Sequence, residues 1–250
     1  MTTNTHKSNV VEAVLNYADC GHSPKSVSIH DGREVTESLS LDKQGFELRH
    51  HDTTVSNFYD EAEVRAVYYP EVERLLKTVT GASKVVAFEH DVRRASQRRA
   101  GATREPVRVV HDDYTEKSAP ERVRLYVPEE ADTLLRGHYA VINVWRPIKG
   151  PVQGTPLAVC DAQSLNDADI IPTESGVKHE VYLFNFSPQH RWFYFPLMRT
   201  DEALLLKCFD SMRDGRARFT AHTAIDDPST PPGAPARESI EVRALAFFDA

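Results

Sequence analysis

Two histidines and one aspartate are spaced so that they could bind one metal ion. Residues 108–113 predict a short apolar strand that ends in His111 and Asp113, and residues 219–222 predict a second strand that ends in His222. Residues i and i+2 of a strand point to the same side, so His111 and Asp113 can chelate one ion. Two neutral imidazoles and one carboxylate give ferrous iron three ligands and leave three coordination positions open.

An arginine and a serine follow on the last predicted strand. Arg237 and Ser239 share the same i, i+2 relation. A planar guanidinium pairs with a carboxylate through two hydrogen bonds, and a serine hydroxyl can donate one more. This pair suits the distal carboxylate of 2-oxoglutarate, whose 2-oxo acid end would chelate the metal. Arg243 lies on the same side of the predicted strand and is a rival of Arg237 for this role.

The His-x-Asp pattern is weak evidence by itself. The chain has 11 histidines, and residues 50–52 contain the same pattern in a polar stretch that predicts a solvated turn or part of a pocket mouth. The order of the pieces is more informative: a strand with His-x-Asp, a distant strand with histidine, and Arg-x-Ser on a closing strand. This order favours one metal site built from all three pieces.

Longer segments resemble one enzyme family. In chain order they are NVWRP at 143–147, LAVCD at 157–161, HRWFYFP at 190–196, EALLLKCFDS at 202–211, HTA at 222–224, DP at 227–228 and RESIEVR at 237–243. Together they resemble the AsaB-type, CmcJ-like hydroxylase/desaturase family, which includes a fungal gibberellin desaturase, and the resemblance covers about residues 45–248. The resemblance implies a double-stranded β-helix and non-haem iron, 2-oxoglutarate-dependent oxidation in secondary metabolism.

The resemblance and the spacing together define a set of expected roles. Fe(II) would be bound by His111, Asp113 and His222, and the cosubstrate 2-oxoglutarate would be anchored by Arg237 and Ser239. With dioxygen, such a site would oxidise a small molecule by hydroxylation, desaturation or oxidative cyclisation. Arg146, in the NVWRP segment, is a further candidate for binding a carboxylate if its strand faces inward; the alternative is a structural corner.

Composition excludes other classes of protein. The chain has 250 residues, 40% hydrophobic and 27% charged, which is ordinary for a globular protein. The net charge of −7 disfavours nucleic acid or an anionic membrane as a partner. Three widely spaced cysteines and a polar N-terminus without an apolar segment predict a reducing, cytoplasmic location. A homo-oligomer stays open.

The pattern of strands and turns predicts a single domain that is mainly β. Residues 1–45 would form an extended arm, residues 57–80 flanking helices, and residues 84–248 the double-stranded β-helix core. Many strands, one helical stretch and no alternation of strands with helices favour an all-β barrel.

Other local patterns make predictions that a structure can test. Residues 22–34 are rich in serine, glycine, proline and charge and predict mostly loop. Residues 180–186 and 191–195 flank a Ser-Pro-Gln turn and predict a β-hairpin, whose aromatic residues would be core or would line a substrate pocket. The basic run at 93–99 would be a solvated loop or a lid over an acidic substrate.

Two alternatives to the iron oxygenase stay open at this point. One is a cupin-like metalloenzyme that uses no 2-oxoglutarate, such as an isomerase or hydrolase. The other is a non-catalytic partner subunit on the same fold. The sequence has no Walker A motif, dinucleotide fingerprint, His-Glu-x-x-His, Cys-x-x-Cys or Gly-x-Ser-x-Gly, which removes several other enzyme classes.

Overall fold

Two β-sheets make up most of the structure. The computed structural model describes residues 10–20, 24–94, 103–174 and 179–249. The strands are β1 Val10–Leu15, β2 Lys25–Asp31, β3 Phe46–His50, β4 Lys84–Arg94, β5 Thr103–Arg104, β6 His111–Asp112, β7 Tyr139–Pro147, β8 Leu157–Cys160, β9 Ile170–Thr173, β10 Val181–Phe184, β11 Trp192–Tyr194, β12 Glu202–Asp210, β13 His222–Ala224 and β14 Glu238–Phe247.

The helices are short and lie outside the sheets. The α-helices are α1 Glu61–Glu63, α2 Tyr69–Thr80, α3 Ser118–Tyr126 and α4 Ala131–Leu134, with a wide helical turn at Val64–Tyr68. Four 3-10 helices lie at Ala18–Cys20, Gly32–Ser38, Ala162–Ser164 and Asp167–Asp169.

The strand order is that of a double-stranded β-helix, as the resemblance implies. One sheet has the order β1-β2-β11-β8-β13-β6-β10-β9, and the other has the order β3-β12-β7-β14-β4-β5. Neighbouring strands are mostly distant in the sequence, and most pairs are antiparallel. Residues that are far apart in the chain therefore meet between the two sheets.

Strand β14 shows how the sheets are buried on both sides. Ile240 and Val242 on its outer face pack with Val72 and Leu76 of α2. Its inner face carries Arg237, which directly precedes the strand, and the polar residues that alternate with the outer apolar ones. Because helices cover the outer face, both faces of this strand are buried, and the polar inner residues have little access to water.

Within residues 57–80, which were predicted to be helical, the structure has helix from Glu61 to Thr80. The Asp60 side chain accepts hydrogen bonds from the backbone N–H groups of Ala62 and Glu63 and caps the first turn. Pro70 lies in the first turn of α2, where a missing N–H costs no hydrogen bond. Gly81 ends the helix with a φ of 74°, a conformation that glycine adopts without steric penalty.

Two predictions of secondary structure are wrong. The segments at 180–186 and 191–195 do not form a hairpin: β10 pairs with β6 and β9, whereas β11 pairs with β2 and β8. Residues 25–31, predicted as loop, form β2, because Val27 and Ile29 alternate with polar residues and the strand pairs with β1. A local pattern does not reveal these partners, since strand pairing here is mostly non-local.

The N-terminal strands support the segment that leads to the first predicted ligand. Asn16 Nδ2 donates a hydrogen bond to the carbonyl oxygen of Arg108 at 2.8 Å, and the N–H of Val110 donates to the carbonyl oxygen of Asn16 at 2.9 Å. Within the predicted N-terminal arm, β1 and β2 are therefore part of the larger sheet. The division of the chain into one domain with an arm and flanking helices stays a prediction.

Candidate metal centre

The three predicted ligands meet between the sheets. His111 begins β6, His222 begins the neighbouring β13, and the two residues are register partners with ring centroids 4.4 Å apart. Asp113 follows β6, and its Oδ1 lies 3.7 Å from His111 Nε2. One donor atom from each of the three residues lies within 4.8 Å of the others, a spacing that can hold a metal ion.

Backbone carbonyls orient both imidazoles. His111 Nδ1 lies 2.8 Å from the carbonyl oxygen of Val109, and His222 Nδ1 lies 3.2 Å from that of Thr220. A carbonyl oxygen can only accept, so each Nδ1 carries the hydrogen and each Nε2 keeps its lone pair for a metal. This arrangement fixes the tautomer that metal-binding histidines need.

The electrostatics of the centre favour the protonation states that bind metal. Burial, followed by the neighbouring His222, lowers the pKa of His111 to about 4, so this imidazole is neutral at neutral pH. Burial raises the pKa of Asp113, but the positive charge of Arg243 outweighs it and holds the pKa well below its usual range. Asp113 is therefore a carboxylate, and its Oδ2 accepts a hydrogen bond from Arg243 Nε at 2.8 Å.

Arg237 lines the same cavity as the two histidines and has few partners. Its Nη1 donates to the carbonyl oxygen of Thr155 at 2.8 Å, and its guanidinium lies 5.4 Å from the centre of the Trp145 ring. Among the described residues, neither Arg237 Nε nor Ser239 Oγ has a hydrogen-bond partner, although both are buried. Burial lowers the pKa of Arg237 to about 9. An anion placed here would supply the missing hydrogen bonds and charge.

The cavity beside the centre is narrow and mixed in polarity. Its apolar wall is formed by Val107, Leu157 and Ala224, and the opposite side carries Arg93 and Glu241. Its volume is about 20 Å³, enough for an ion or a water molecule. Binding of a five-carbon dicarboxylate therefore requires the lining side chains to move apart.

Comparison with known proteins gives the family. A family profile described as an oxidoreductase/YMDC permease-like domain matches residues 2–247. Hydroxylase/desaturase efuI of Hormonema carpetanum is 35% identical over an alignment of 255 positions, which covers 91% of this chain and 85% of that protein. Alpha-ketoglutarate-dependent dioxygenase phiK of a fungal species is 34% identical over 236 residues, which cover 90% of this chain and 84% of that protein.

The same relationship appears in a solved structure. The iron and alpha-ketoglutarate-dependent endoperoxidase NvfI matches with a TM-score of 0.84 and 30% identity, over 97% of this chain and 98% of that chain. This chain belongs to that family of Fe(II)/2-oxoglutarate-dependent hydroxylases, desaturases and dioxygenases. The predicted family, fold, enzyme class, metal and cosubstrate are confirmed at this level. Family membership favours the oxygenase over the metalloenzyme without 2-oxoglutarate and over the non-catalytic subunit.

The match to a profile with permease in its description does not come with a membrane helix. Among the helices in the described parts of the chain, none is long and apolar enough to cross a bilayer.

Arg146 does not lie at the candidate metal centre, unlike Arg237 and Ser239, the other two residues predicted to bind the cosubstrate. It pairs with Ile240 across β7 and β14 and therefore points to the outer, helix-covered face. Its Nη2 donates to the carbonyl oxygens of His51 and Thr200, and its guanidinium lies over the Tyr68 ring. These contacts are those of the structural corner that the sequence left as the alternative, so Arg146 is left out of the proposed cosubstrate site.

The other His-x-Asp pattern and the basic run have different outcomes. His50 and Asp52 are exposed, and His50 Nε2 lies 3.9 Å from Asp52 Oδ1, which is typical of a solvated surface pair. In the basic run, Arg93 and Arg94 end β4, while residues 95–99 lie outside the described residues. The aromatic residues Trp192 and Tyr194 are buried in the core.

Sequence reasoning missed the ion pair that faces the centre. Arg93 Nε and Nη2 donate to Glu241 Oε2 and Oε1 at 2.8 and 2.6 Å, and both side chains are nine-tenths buried. The signal that could have revealed Glu241 was its position on the inner parity of β14, two residues from both Ser239 and Arg243.

A larger cavity lies on the outer face of the six-stranded sheet. It has a volume of about 360 Å³ and is lined by residues that include His138, Lys207 and Asp210. The buried Lys207 ammonium donates to Asp210 Oδ2 at 2.8 Å and to Asp42 Oδ1 at 2.6 Å, and His138 Nε2 donates to Asp210 Oδ1 at 2.9 Å. These groups satisfy one another, and the metal-ligand triad does not line this cavity.

Proposed function

We propose that this protein binds Fe(II) through His111 Nε2, His222 Nε2 and Asp113 Oδ1 and couples 2-oxoglutarate turnover to the oxidation of a small molecule. The convergence of one donor atom from each of these three residues within 4.8 Å carries the proposal. Two imidazoles and one carboxylate on one side of an ion are the ligand set of non-haem iron oxygenases. The oriented Nδ1 atoms and the carboxylate held by arginine fit this metal.

The proposed cosubstrate anchor is Arg237 with Ser239. Within the part of the chain that the structure describes, Nε of the buried guanidinium has no partner, and the buried hydroxyl two residues further along also has none. The distal carboxylate of 2-oxoglutarate would accept hydrogen bonds from both groups and would neutralise a charge that burial destabilises. The position of Arg237 in the same cavity as the histidines supports this assignment.

Bound iron with 2-oxoglutarate and dioxygen supplies an oxidant strong enough to remove hydrogen from a C–H bond. The chain's own part is to hold the reactants and to exclude water. The carbonyls of Val109 and Thr220 keep the imidazoles in place, and Arg243 keeps Asp113 ionised. The sheets surround the centre, so that few water molecules can reach it.

The apolar wall suggests where the substrate lies. Val107, Leu157 and Ala224 face the histidines, which suits a substrate whose reacting carbon is part of an apolar group. Hydroxylation, desaturation and cyclisation all begin from such a group. We place the reaction in secondary metabolite biosynthesis, as in relatives named for hydroxylase/desaturase activity and for aspirochlorine biosynthesis.

The test is an anaerobic titration. Fe(II) and then 2-oxoglutarate are added to metal-free protein, and the weak visible charge-transfer band of a chelated 2-oxo acid is measured. We expect the band in the unmodified protein and its loss in His222→Ala. His50→Ala is the matched control, because His50 belongs to the exposed His-x-Asp pattern and should leave the band unchanged.

Each outcome of this titration has a clear meaning. If the band forms and dioxygen then yields succinate, the proposal is supported. If iron binds to the three residues but no band forms, the 2-oxoglutarate assignment of Arg237 and Ser239 fails. If His50→Ala removes the band or His222→Ala keeps it, the metal site is wrong.

Location and partners follow from weaker observations. We propose a cytoplasmic location, which two free, buried cysteines, Cys160 and Cys208, support. The net charge of −7 supports a protein without nucleic-acid or membrane partners. Association into a homo-oligomer stays a prediction, which sedimentation of the full chain would test.

A further inference from the structure

Arg243 faces three carboxylates at once. Its Nε donates to Asp113 Oδ2 at 2.8 Å, its Nη1 to Asp91 Oδ2 at 3.1 Å and its Nη2 to Glu241 Oε1 at 2.7 Å. The side chains of Arg243 and Glu241 are 9% exposed, that of Asp113 is 10% exposed and that of Asp91 is 14% exposed. Each of the three guanidinium nitrogens therefore donates to a carboxylate.

These three carboxylates disfavour Arg243 as the clamp for 2-oxoglutarate. A cosubstrate carboxylate at Arg243 would either displace one of them or be repelled by their negative charge. Arg237 needs no such displacement, because its Nε has no partner among the described residues. The two arginines of β14 therefore have different roles, although they lie on the same inner side of the strand.

We propose that Arg243 is a positioning residue that makes Asp113 bind iron through one oxygen only. This inference rests on the proposed iron site. Oδ2 is held by Arg243, whereas Oδ1 is turned towards His111 Nε2 at 3.7 Å. Iron bound between the imidazoles would therefore meet Oδ1, and the hydrogen bond would keep Oδ2 away from the metal.

The number of coordination positions makes this restraint important. Of six positions, the protein fills three and a chelating 2-oxo acid fills two, which leaves one for dioxygen. A carboxylate that binds through both oxygens would take that last position. Arg243 thus keeps open the position that dioxygen needs, without contacting the reactants.

The surrounding charges hold Arg243 itself in place. Glu241 is also bound by both Nε and Nη2 of Arg93, and Asp91 lies 3.2 Å from Arg104 Nε. Two of the three carboxylates that bind Arg243, Glu241 and Asp91, therefore have a second cation. This network resists rotation of the guanidinium, as the outer partners of metal ligands commonly do.

The experiment compares Arg243→Met and Arg243→Lys with the unmodified protein, using nitric oxide as a probe of the open position. Metal-free protein is loaded anaerobically with Fe(II) and 2-oxoglutarate, the charge-transfer band is recorded, and nitric oxide is titrated while the paramagnetic iron–nitrosyl signal is measured. Arg108→Met, at an arginine with an exposed side chain, is the control.

We expect Arg243→Met to bind nitric oxide at least tenfold more weakly than the unmodified protein, within the range typical of lost outer partners. The charge-transfer band should still form. Arg243→Lys, which can still donate to Asp113 Oδ2, should bind nitric oxide with an affinity between those of Arg243→Met and the unmodified protein. Arg108→Met should bind nitric oxide as tightly as the unmodified protein. If Arg243→Met binds iron, 2-oxoglutarate and nitric oxide as tightly as the unmodified protein, the inference is overturned.

A structure of the unmodified protein provides a test that does not depend on the variants folding. Crystals grown anaerobically with Mn(II) and 2-oxoglutarate would show which oxygens of Asp113 bind the metal. One metal-bound oxygen, with the other on Arg243, supports the inference; two metal-bound oxygens overturn it while the iron site stands. If the unmodified protein gives no charge-transfer band, the proposed function fails, which is a different outcome from failure of this inference.

Discussion

Arg237 and Ser239 lie two residues apart at the start of β14, and each has a buried polar atom without a hydrogen-bond partner among the described residues. A buried group of this kind costs free energy unless a partner is supplied. Two such groups, one of them charged and beside a metal-ligand triad, mark a place where a ligand would complete the structure.

Substitution of Arg237 by methionine should separate binding from stability. We expect the KM for 2-oxoglutarate to rise by about 100-fold, since a buried charge partner is lost. The free energy of unfolding of the ligand-free protein should rise by about 1 kcal/mol, because a buried cation with few partners is removed. Succinate release and urea denaturation measure the two effects.

Arg199→Met is the control for that substitution, because the Arg199 side chain is 61% exposed and pairs with Asp201 at the surface. It should change neither quantity appreciably. An unchanged KM in Arg237→Met would show that another residue binds the distal carboxylate.

Substitution of Ser239 by alanine should weaken 2-oxoglutarate binding by about fivefold, the equivalent of one hydrogen bond of about 1 kcal/mol. The ligand-free protein should lose no stability, because Ser239 Oγ has no partner among the described residues. Ser118→Ala is the opposite case: Ser118 Oγ donates to the carbonyl oxygen of Glu180 at 2.7 Å, so its loss should lower stability and leave 2-oxoglutarate binding unchanged. Equal effects of the two substitutions on binding would argue against the anchor.

Arg146→Met should be a stability variant. The Arg146 guanidinium bonds to the carbonyl oxygens of His51 and Thr200 and lies over two aromatic rings, so its loss should cost about 2–4 kcal/mol of unfolding free energy. Thermal or urea denaturation measures this cost. The charge-transfer band should form in the folded variant at the same 2-oxoglutarate concentration as before; a band that requires much more 2-oxoglutarate would restore Arg146 as a binding residue.

The loss of stability at acidic pH should depend on Glu241. Burial raises its pKa, but Arg93 and Arg243 outweigh this and lower it from 4.5 to about 2. A carboxyl with a lowered folded-state pKa contributes stability that is present above pH 4.5 and is lost as the pH falls through about 2. The unfolding free energy of metal-free protein should therefore fall over this range.

Glu241→Gln tests the origin of that fall. The variant should be less stable than the unmodified protein at pH 7, and the difference should shrink as the pH approaches 2, because protonation removes the same charge that the substitution removes. Urea denaturation across this range measures it. If the difference in unfolding free energy between the two proteins stays constant across this range, other carboxyls cause the loss of stability at acidic pH.

The sequence predicted three residues that the structure brings within reach of one ion. His111 and Asp113 are two residues apart, so strand geometry alone puts them on one side, whereas His222 was predicted from the order of the strands and the family resemblance. The local sequence also predicted Gly81 as the end of α2. Features that depend on near neighbours in the chain, such as the His111–Asp113 pair and Gly81, follow from strong physical rules.

The sequence could not assign roles to the arginines. Arg237 and Arg243 have the same parity along the last strand and the residue before it. Only the structure shows that all three nitrogens of Arg243 donate to carboxylates, whereas Arg237 Nε has no partner among the described residues. The role of Arg146 depends on which face of β7 points inward, and the strands that pair with β7 decide this. The hairpin at β10 and β11 failed for the same reason, because its true partners are distant in the chain.

The pairing of β6 with β13 has a consequence for how the protein opens. Within the described residues, these strands share a single register pair, His111 with His222, and β6 itself has two residues. One further backbone hydrogen bond, from the N–H of Ala224 to the carbonyl oxygen of Val107 at 2.8 Å, joins the same segments, so few backbone hydrogen bonds hold the sheet at this seam. An ion bound by both histidines would cross-link two distant parts of the chain, much as a disulfide does, and would lengthen the lifetime of the closed state, so that metal occupancy sets how often the seam separates.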